Sequence, residues 1–188
     1  FSRLSSVGGE HLPRVVETYD LPDQVVIVRE YVSGTPLASC VAEAGRMGEI
    51  AAAHVVADVC DAVSTLHEQG IVHRDVSPRN VILSPRGAVL IDLGIARTYV
   101  TGAQRDTTRL GTWGFASPEQ YVFAQTDVRS DVYSVGCLLG YMLTGVTPDA
   151  EGYAETLADS AAVRPELRRI VEMACRFEPS VAYQIARA

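Results

Sequence analysis

Residues 71–80 read Ile-Val-His-Arg-Asp-Val-Ser-Pro-Arg-Asn, and Asp92-Leu93-Gly94 begins twelve residues after Asn80. No other stretch constrains the chain as tightly. Asp75 and Asn80 stand five residues apart in a proline-bearing loop. A helix-like segment precedes the loop, short apolar runs flank it, and Asp92 ends a further apolar run. The arrangement suits phosphoryl transfer. One carboxylate can accept a hydroxyl proton, while an amide oxygen and a second carboxylate are hard donors suited to magnesium on triphosphate oxygens.

The flanking sequence predicts the setting of this loop. Val15-Val16 and residues 25–28 are β-rich runs either side of a polar turn at 20–24, which reads as a hairpin. Residues 30–34 leave it as a connector. Thr35-Pro36 then signals a helix with proline at its first position, ending near Gly45. Val56, Val59, Cys60, Val63 and Leu66 recur at helical spacing within 49–69, and Gly70 stops that helix. Residues 81–83 and 89–91 flank Ser-Pro-Arg-Gly, a second hairpin. Residues 96–111 are polar and aperiodic and read as a mobile loop. Ser117-Pro118-Glu119-Gln120 is a helix-start signature. Residues 131–143 are apolar nearly all round and read as a central buried helix. Arg164-Pro165 opens a last amphipathic helix carrying Leu167, Ile170, Val171 and Ala174. Hairpin, two helices, hairpin, loop and helices is the order of neither a doubly wound sheet nor a barrel.

Composition narrows the function classes. The chain has 188 residues, enough for one domain with a real core, and a net charge of −7. That charge, with no Lys/Arg run, argues against nucleic acid as a partner. The four cysteines, at 40, 60, 137 and 175, form no CxxC pair and read as buried apolar residues in a reducing compartment, which points to a cytoplasmic location. No signal peptide is visible, and the apolar run 132–146 is too short to span a bilayer.

These elements together resemble the eukaryotic-type protein kinase family found among bacterial Ser/Thr kinases. His73-Arg74-Asp75…Asn80 is similar to the family's catalytic loop, and Asp92-Leu93-Gly94 to its Asp-Phe-Gly element. Gly111-Thr112 with Ser117-Pro118-Glu119 resembles the end of the activation segment, and residues 131–136 the start of the central helix. The resemblance implies an α+β, protein-kinase-like fold. It would be mainly the helical large lobe at 33–188, with a remnant hairpin of the small lobe and the hinge at 1–32. It implies MgATP as cofactor and a protein hydroxyl as acceptor. Asp75 would accept or orient that hydroxyl, with Arg79 supplying positive charge, and Asn80 and Asp92 would hold magnesium. Glu30 and Val32 would meet adenine through the hinge backbone, with Ile82 beneath the ring. His73 would be structural, Arg74 would pair with a phosphorylated activation loop or brace the loop electrostatically, Thr112 would be the Ser/Thr-type threonine next to the catalytic Asp, Asp131 would hold the loop's backbone from below, and Glu119 would belong to the activation segment. Thr107 and Thr108 would be candidate phosphosites.

Several positions depart from that pattern. The glycine-rich loop, the strand lysine and its glutamate partner are not found from Phe1 onward, so the reading expects them upstream, in a chain truncated at its N-terminus. Ser77 stands where the family has lysine. Arg29 precedes the hinge where an apolar residue is usual. Ala182 stands where an arginine would pair with Glu119, leaving Arg176 as a substitute. Two alternatives follow: a pseudokinase-like binding module, and a small-molecule phosphotransferase of the aminoglycoside type, against which residues 117–119 and the Asp131 helix argue.

Overall fold

A computed structural model describes residues 8–22, 24–93, 97–98, 111–121 and 126–176. Strands β1 (Val15–Leu21) and β2 (Gln24–Arg29) form the first antiparallel hairpin, with Tyr19 opposite Val26 and Glu17 opposite Val28. Tyr19, Leu21, Val26 and Val28 are all exposed. The first short helix starts one residue later than the Thr-Pro signal suggests. Thr35–Pro36 is a two-residue strand, β3, paired with Leu83 and Ile82, so Pro36 stays extended as the cap of α1 (Leu37–Ala44). A strand partner outweighs the local preference of proline for a first helical turn.

Helix α2 (Glu49–Glu68) buries Val55, Val59, Val63 and Leu66 and ends at Gly70, whose φ is 70°. It packs against α4 and the second hairpin. By length and composition α2 is also the one described helix that could cross a membrane. It nevertheless carries Glu49, Asp58, Asp61 and Glu68. Strand β4 (Ile71–Val72) leads into the catalytic-type loop, and β5 (Val81–Ser84) and β6 (Gly87–Leu90) form the second hairpin. Arg97–Thr98 makes a short strand, β7, on Val72 and Ile71. The polar stretch read as a mobile loop therefore begins with backbone pairing to the residues just before His73. Thr107, Thr108, Gly94 and Ala182 lie outside the described residues.

Helix α3 (Pro118–Tyr121) is one turn. Helix α4 (Val128–Thr144) is the central buried helix that its composition predicts, capped by the Asp127 carboxylate on the Arg129 N–H. Around it lie α5 (Tyr153–Ala158) and α6 (Pro165–Ala174). Ile170, assigned to the apolar stripe of α6, is 41% exposed, so Val171 and Ala174 carry the contact with α4. Two glycines of α4 permit that contact. A Cβ on Gly136 would sit 2.6 Å from Ala174 Cβ and 2.9 Å from Cys175 Sγ, and one on Gly140 would collide with the Tyr153 hydroxyl.

Because Ala174 Cβ and Cys175 Sγ already fill the space beside Gly136, Gly136→Ala should overpack this interface and cost about 1–3 kcal/mol. Urea unfolding checks it. An unchanged midpoint would mean that α6 is free to move away from α4.

Candidate active site

The loop at residues 73–80 is held from beneath by one carboxylate. Asp131, in the first turn of α4, is fully buried. Its Oδ2 accepts from the His73 backbone N–H at 2.9 Å and from His67 Nε2 at 2.7 Å, and its Oδ1 accepts from the Arg74 N–H at 2.8 Å. For both amides to point at one carboxylate the chain must turn sharply, and Arg74 takes a left-handed φ of 70°. That conformation costs a non-glycine residue roughly 1–2 kcal/mol. It persists because a buried carboxylate without donors would cost more.

His73 is fully buried and bridges the loop to the second hairpin. Its Nδ1 accepts from the Asp75 N–H at 3.2 Å, which leaves the ring proton on Nε2, donated to the Ile91 carbonyl at 3.3 Å. Burial lowers its pKa below the usual imidazole value, and the nearby Asp131 charge offsets part of that shift. The His73 side chain spans two backbone segments of the site as a neutral ring.

Asp75 is only partly buried, and three donors orient its carboxylate. Thr112 donates to Oδ1 twice, from its N–H at 2.8 Å and its hydroxyl at 2.7 Å. Asn80 Nδ2 donates to Oδ2 at 2.8 Å and to the Asp75 carbonyl at 2.9 Å. A carboxylate offers about four lone-pair sites, so Oδ2 retains one. With its nitrogen engaged, Asn80 presents Oδ1 as the atom suited to a cation. The Ile91 N–H donates to the Asn80 carbonyl at 2.7 Å, which sets Asp92, the next residue, beside Asn80. Asp92 is exposed with φ 68°. An amide oxygen and a carboxylate are hard-oxygen donors of the kind that suits magnesium.

The activation-type segment is bolted to the same loop. Gln120 is buried. Its Nε2 donates to the Arg74 carbonyl at 2.8 Å, and its Oε1 accepts from the Ser117 N–H and hydroxyl, each at 3.1 Å. The sequence signature marked Gln120 only as the partner of the Ser117 cap. Its second bond to the catalytic-type loop had no local signal. Gly111 allows the close approach: its φ is 114°, and a Cβ there would lie 2.7 Å from Ala116 Cβ and 2.9 Å from Gln120 Nε2. Glu119 has its partner in the Ser130 hydroxyl at 2.6 Å rather than in Arg176. Ser130 and His67 are the residues that sequence reasoning missed. A helical serine and a lone helical histidine give no local sign of a tertiary partner.

Two expected positions sit apart from this network. Arg79 is exposed and makes no ion pair with Asp75. Ser77 is fully buried, with no hydrogen-bond partner for its hydroxyl. At the other wall, the connector from Glu30 runs to Gly34, where the backbone crosses Leu83. A Cβ on Gly34 would strike the Leu83 carbonyl and lie 2.7 Å from Ile82 Cγ2. This brings the connector and Ile82 together. Arg29 is exposed on β2.

Comparison with known proteins matches the family profile described as protein kinase domain to residues 2–186. The serine/threonine-protein kinase PknB of Mycolicibacterium smegmatis is 36% identical over 198 residues, covering 93% of this chain and 32% of the relative. PknB of Mycobacterium leprae is 40% identical over 146 residues, covering 72% and 24%. The probable PknB of Corynebacterium glutamicum is 39% identical over 126 residues, covering 65% and 20%. The chain thus spans between a fifth and a third of the length of these relatives.

Two outcomes follow from the geometry. Asp131→Ala strands buried donors at residues 67, 73 and 74 and should cost about 3–5 kcal/mol in urea unfolding. A loss below 1 kcal/mol would refute the clamp. His73 is neutral when folded but takes up a proton below about pH 6.5 when unfolded. Its contribution is therefore complete above that pH and shrinks as pH falls toward the lower folded pKa. Between pH 7 and 5 the stability of the protein should fall, and His73→Gln should flatten that slope. A parallel slope would place the proton uptake elsewhere.

Proposed function

Because this chain belongs to the protein kinase domain family, we propose that it carries the catalytic centre of a serine/threonine kinase. The reaction moves the γ-phosphoryl group of ATP to a hydroxyl of a protein substrate. The observation that carries this reading is the Asp75 carboxylate, turned by Thr112 and Asn80 so that one lone pair of Oδ2 stays open. The substrate hydroxyl donates its proton there. Its oxygen bonds to the γ-phosphorus as the bond to the β–γ bridging oxygen breaks, and ADP leaves. Thr112 and Asn80 keep Asp75 from rotating, so little orientation remains to be won when substrate arrives.

Asn80 and Asp92 are the residues that would hold magnesium, which supplies charge neutralisation on the phosphate oxygens. Adenine would meet the connector backbone at Glu30 and Val32, with the side chain of Ile82 beneath the ring. Arg79, a long exposed cation four residues from Asp75, supplies positive charge that Ser77 cannot. His73, Arg74 and Asp131 hold the loop, while Glu119 anchors the activation segment through Ser130, and Thr107 and Thr108 are its phosphosites. We read 1–32 as remnant small lobe and hinge and 33–188 as the large lobe, in a chain that spans a third or less of its relatives' length. The whole protein is therefore the form to assay. Four free cysteines accord with a reducing, cytoplasmic setting.

The test is phosphate transfer to a protein acceptor by the full-length protein. Asp75→Asn should lower kcat by about 10²–10⁴-fold, the range for losing a positioned general base. An unchanged rate overturns the mechanism. Absence of magnesium-dependent nucleotide binding by the full-length protein would favour the pseudokinase-like alternative, and transfer to an antibiotic but to no protein would favour the small-molecule alternative.

A further inference from the structure

The connector at residues 30–34 is attached at both ends to one hairpin. At its far end Thr35 pairs with Leu83 and Gly34 lies against the Leu83 carbonyl. At its near end the Glu30 side chain reaches the turn between β5 and β6, where Arg86 Nη2 donates to Glu30 Oε1 at 2.5 Å. The other carboxylate oxygen accepts from the Arg14 N–H at 3.2 Å, and the Glu30 N–H donates to the Arg14 carbonyl at 2.9 Å. The base of the first hairpin, the start of the connector and the turn of the second hairpin thus meet at one carboxylate. The Arg14 N–H and the Arg86 guanidinium hold that carboxyl below its usual pKa, so the pair stays charged across the neutral range. The segment before β1 follows the same hairpin. His11 accepts from the Leu90 N–H through its carbonyl, and its Nδ1 lies 2.9 Å from the Ala88 carbonyl.

We propose that Arg86 is a positioning residue for the nucleotide: through Glu30 it fixes the connector above Ile82, so that the adenine slot between them is set before ATP arrives. The proposal rests on the phosphotransferase reading above, since it is that reading which puts adenine in the slot. Arg86 touches no reacting atom. Its side chain is 44% exposed and that of Glu30 29%, so water and salt screen the pair and its effect is moderate. The ion pair acts by restricting where a five-residue strap can lie, and the strand pairing at Thr35 cannot do this alone from the other end.

The test uses the full-length protein and reads ATP and the connector separately. Arg86→Gln should raise KM for ATP about two- to fivefold, the range an exposed ion pair allows. It should leave kcat and KM for the protein acceptor unchanged. The backbone amides of residues 31–33 should exchange hydrogen faster in this variant. Arg86→Lys, which keeps the cation and leaves the Glu30 carboxylate free to accept from the Arg14 N–H, should bring both readouts back toward wild type, and 0.5 M salt should narrow the difference between wild type and Arg86→Gln. Wild-type ATP binding with an unmoved KM in Arg86→Gln overturns this proposal alone, as does an Arg86→Lys variant no closer to wild type than Arg86→Gln. Failure of the wild-type protein to bind ATP overturns the phosphotransferase reading and this proposal with it.

Discussion

A fully buried carboxylate is the constraint on which this structure depends. Asp131 brings a charge into the core on the first turn of α4, and such a charge is tolerated only when donors surround it. The helix N-terminus helps, because its partial positive charge favours an acidic residue there. The rest comes from the chain 57 and 58 residues earlier, whose two backbone N–H groups converge on the carboxylate, and from His67 at the end of α2. The requirement is mutual. Without Asp131 the loop would leave buried amides unpaired, and without the loop Asp131 would be an uncompensated charge. Such reciprocal dependence makes the arrangement all-or-none, which is what a site needs if its residues are to be in place before substrate binds.

The precision of α4 then becomes the precision of the loop. This helix is buried along most of its length and touches α2, α5, α6 and β4. Gly136 and Gly140 bring α6 and Tyr153 to backbone contact, so the helix has little freedom to slide or rotate. The burial of Tyr153 against α4 raises its hydroxyl pKa far above the usual value and keeps it neutral. A rigid post therefore stands under a loop that is otherwise irregular backbone. Loops placed by scaffolds of this kind commonly carry function.

Much of this was legible in the sequence where a residue's role depended on its neighbours in the chain. Helical spacing gave α2, unbroken apolar character gave α4, and turn residues gave both hairpins, because each of these elements buries a face set by local periodicity. The spacing of Asp75 and Asn80 likewise marked a pair that the fold joins by a hydrogen bond. Roles that depend on a distant partner were not legible. Gln120 looks like the partner of a cap and is also a strut to Arg74. Ser130 is an ordinary helical serine until Glu119 meets it. Thr35 and Pro36 look like a helix start until β5 claims them. Ile170 fits the apolar stripe of α6 by spacing, but Val171 and Ala174 are the residues buried there and Ile170 stays outside.

The two left-handed non-glycine residues among those described, Arg74 and Asp92, belong to one mechanical unit. Both conformations are unfavourable in isolation. Each is imposed from outside. Arg74 is drawn over by the Asp131 carboxylate and by Gln120, which takes its carbonyl. Asp92 follows Ile91, whose N–H is bound to the Asn80 carbonyl and whose carbonyl is bound to His73. His73 also receives the Asp75 N–H, so one neutral ring connects the strained turn before Asp75 to the strained residue after the second hairpin. The backbone is bent at two places, one just before Asp75 and one just after Ile91, whose N–H the Asn80 carbonyl holds. The strain is sustained by hydrogen bonds made within the protein before any ligand is bound. A relaxed backbone at Arg74 would turn its N–H away from Asp131, and the cluster of Asp75, Asn80 and Thr112 that follows would then have to be assembled at the expense of each binding event.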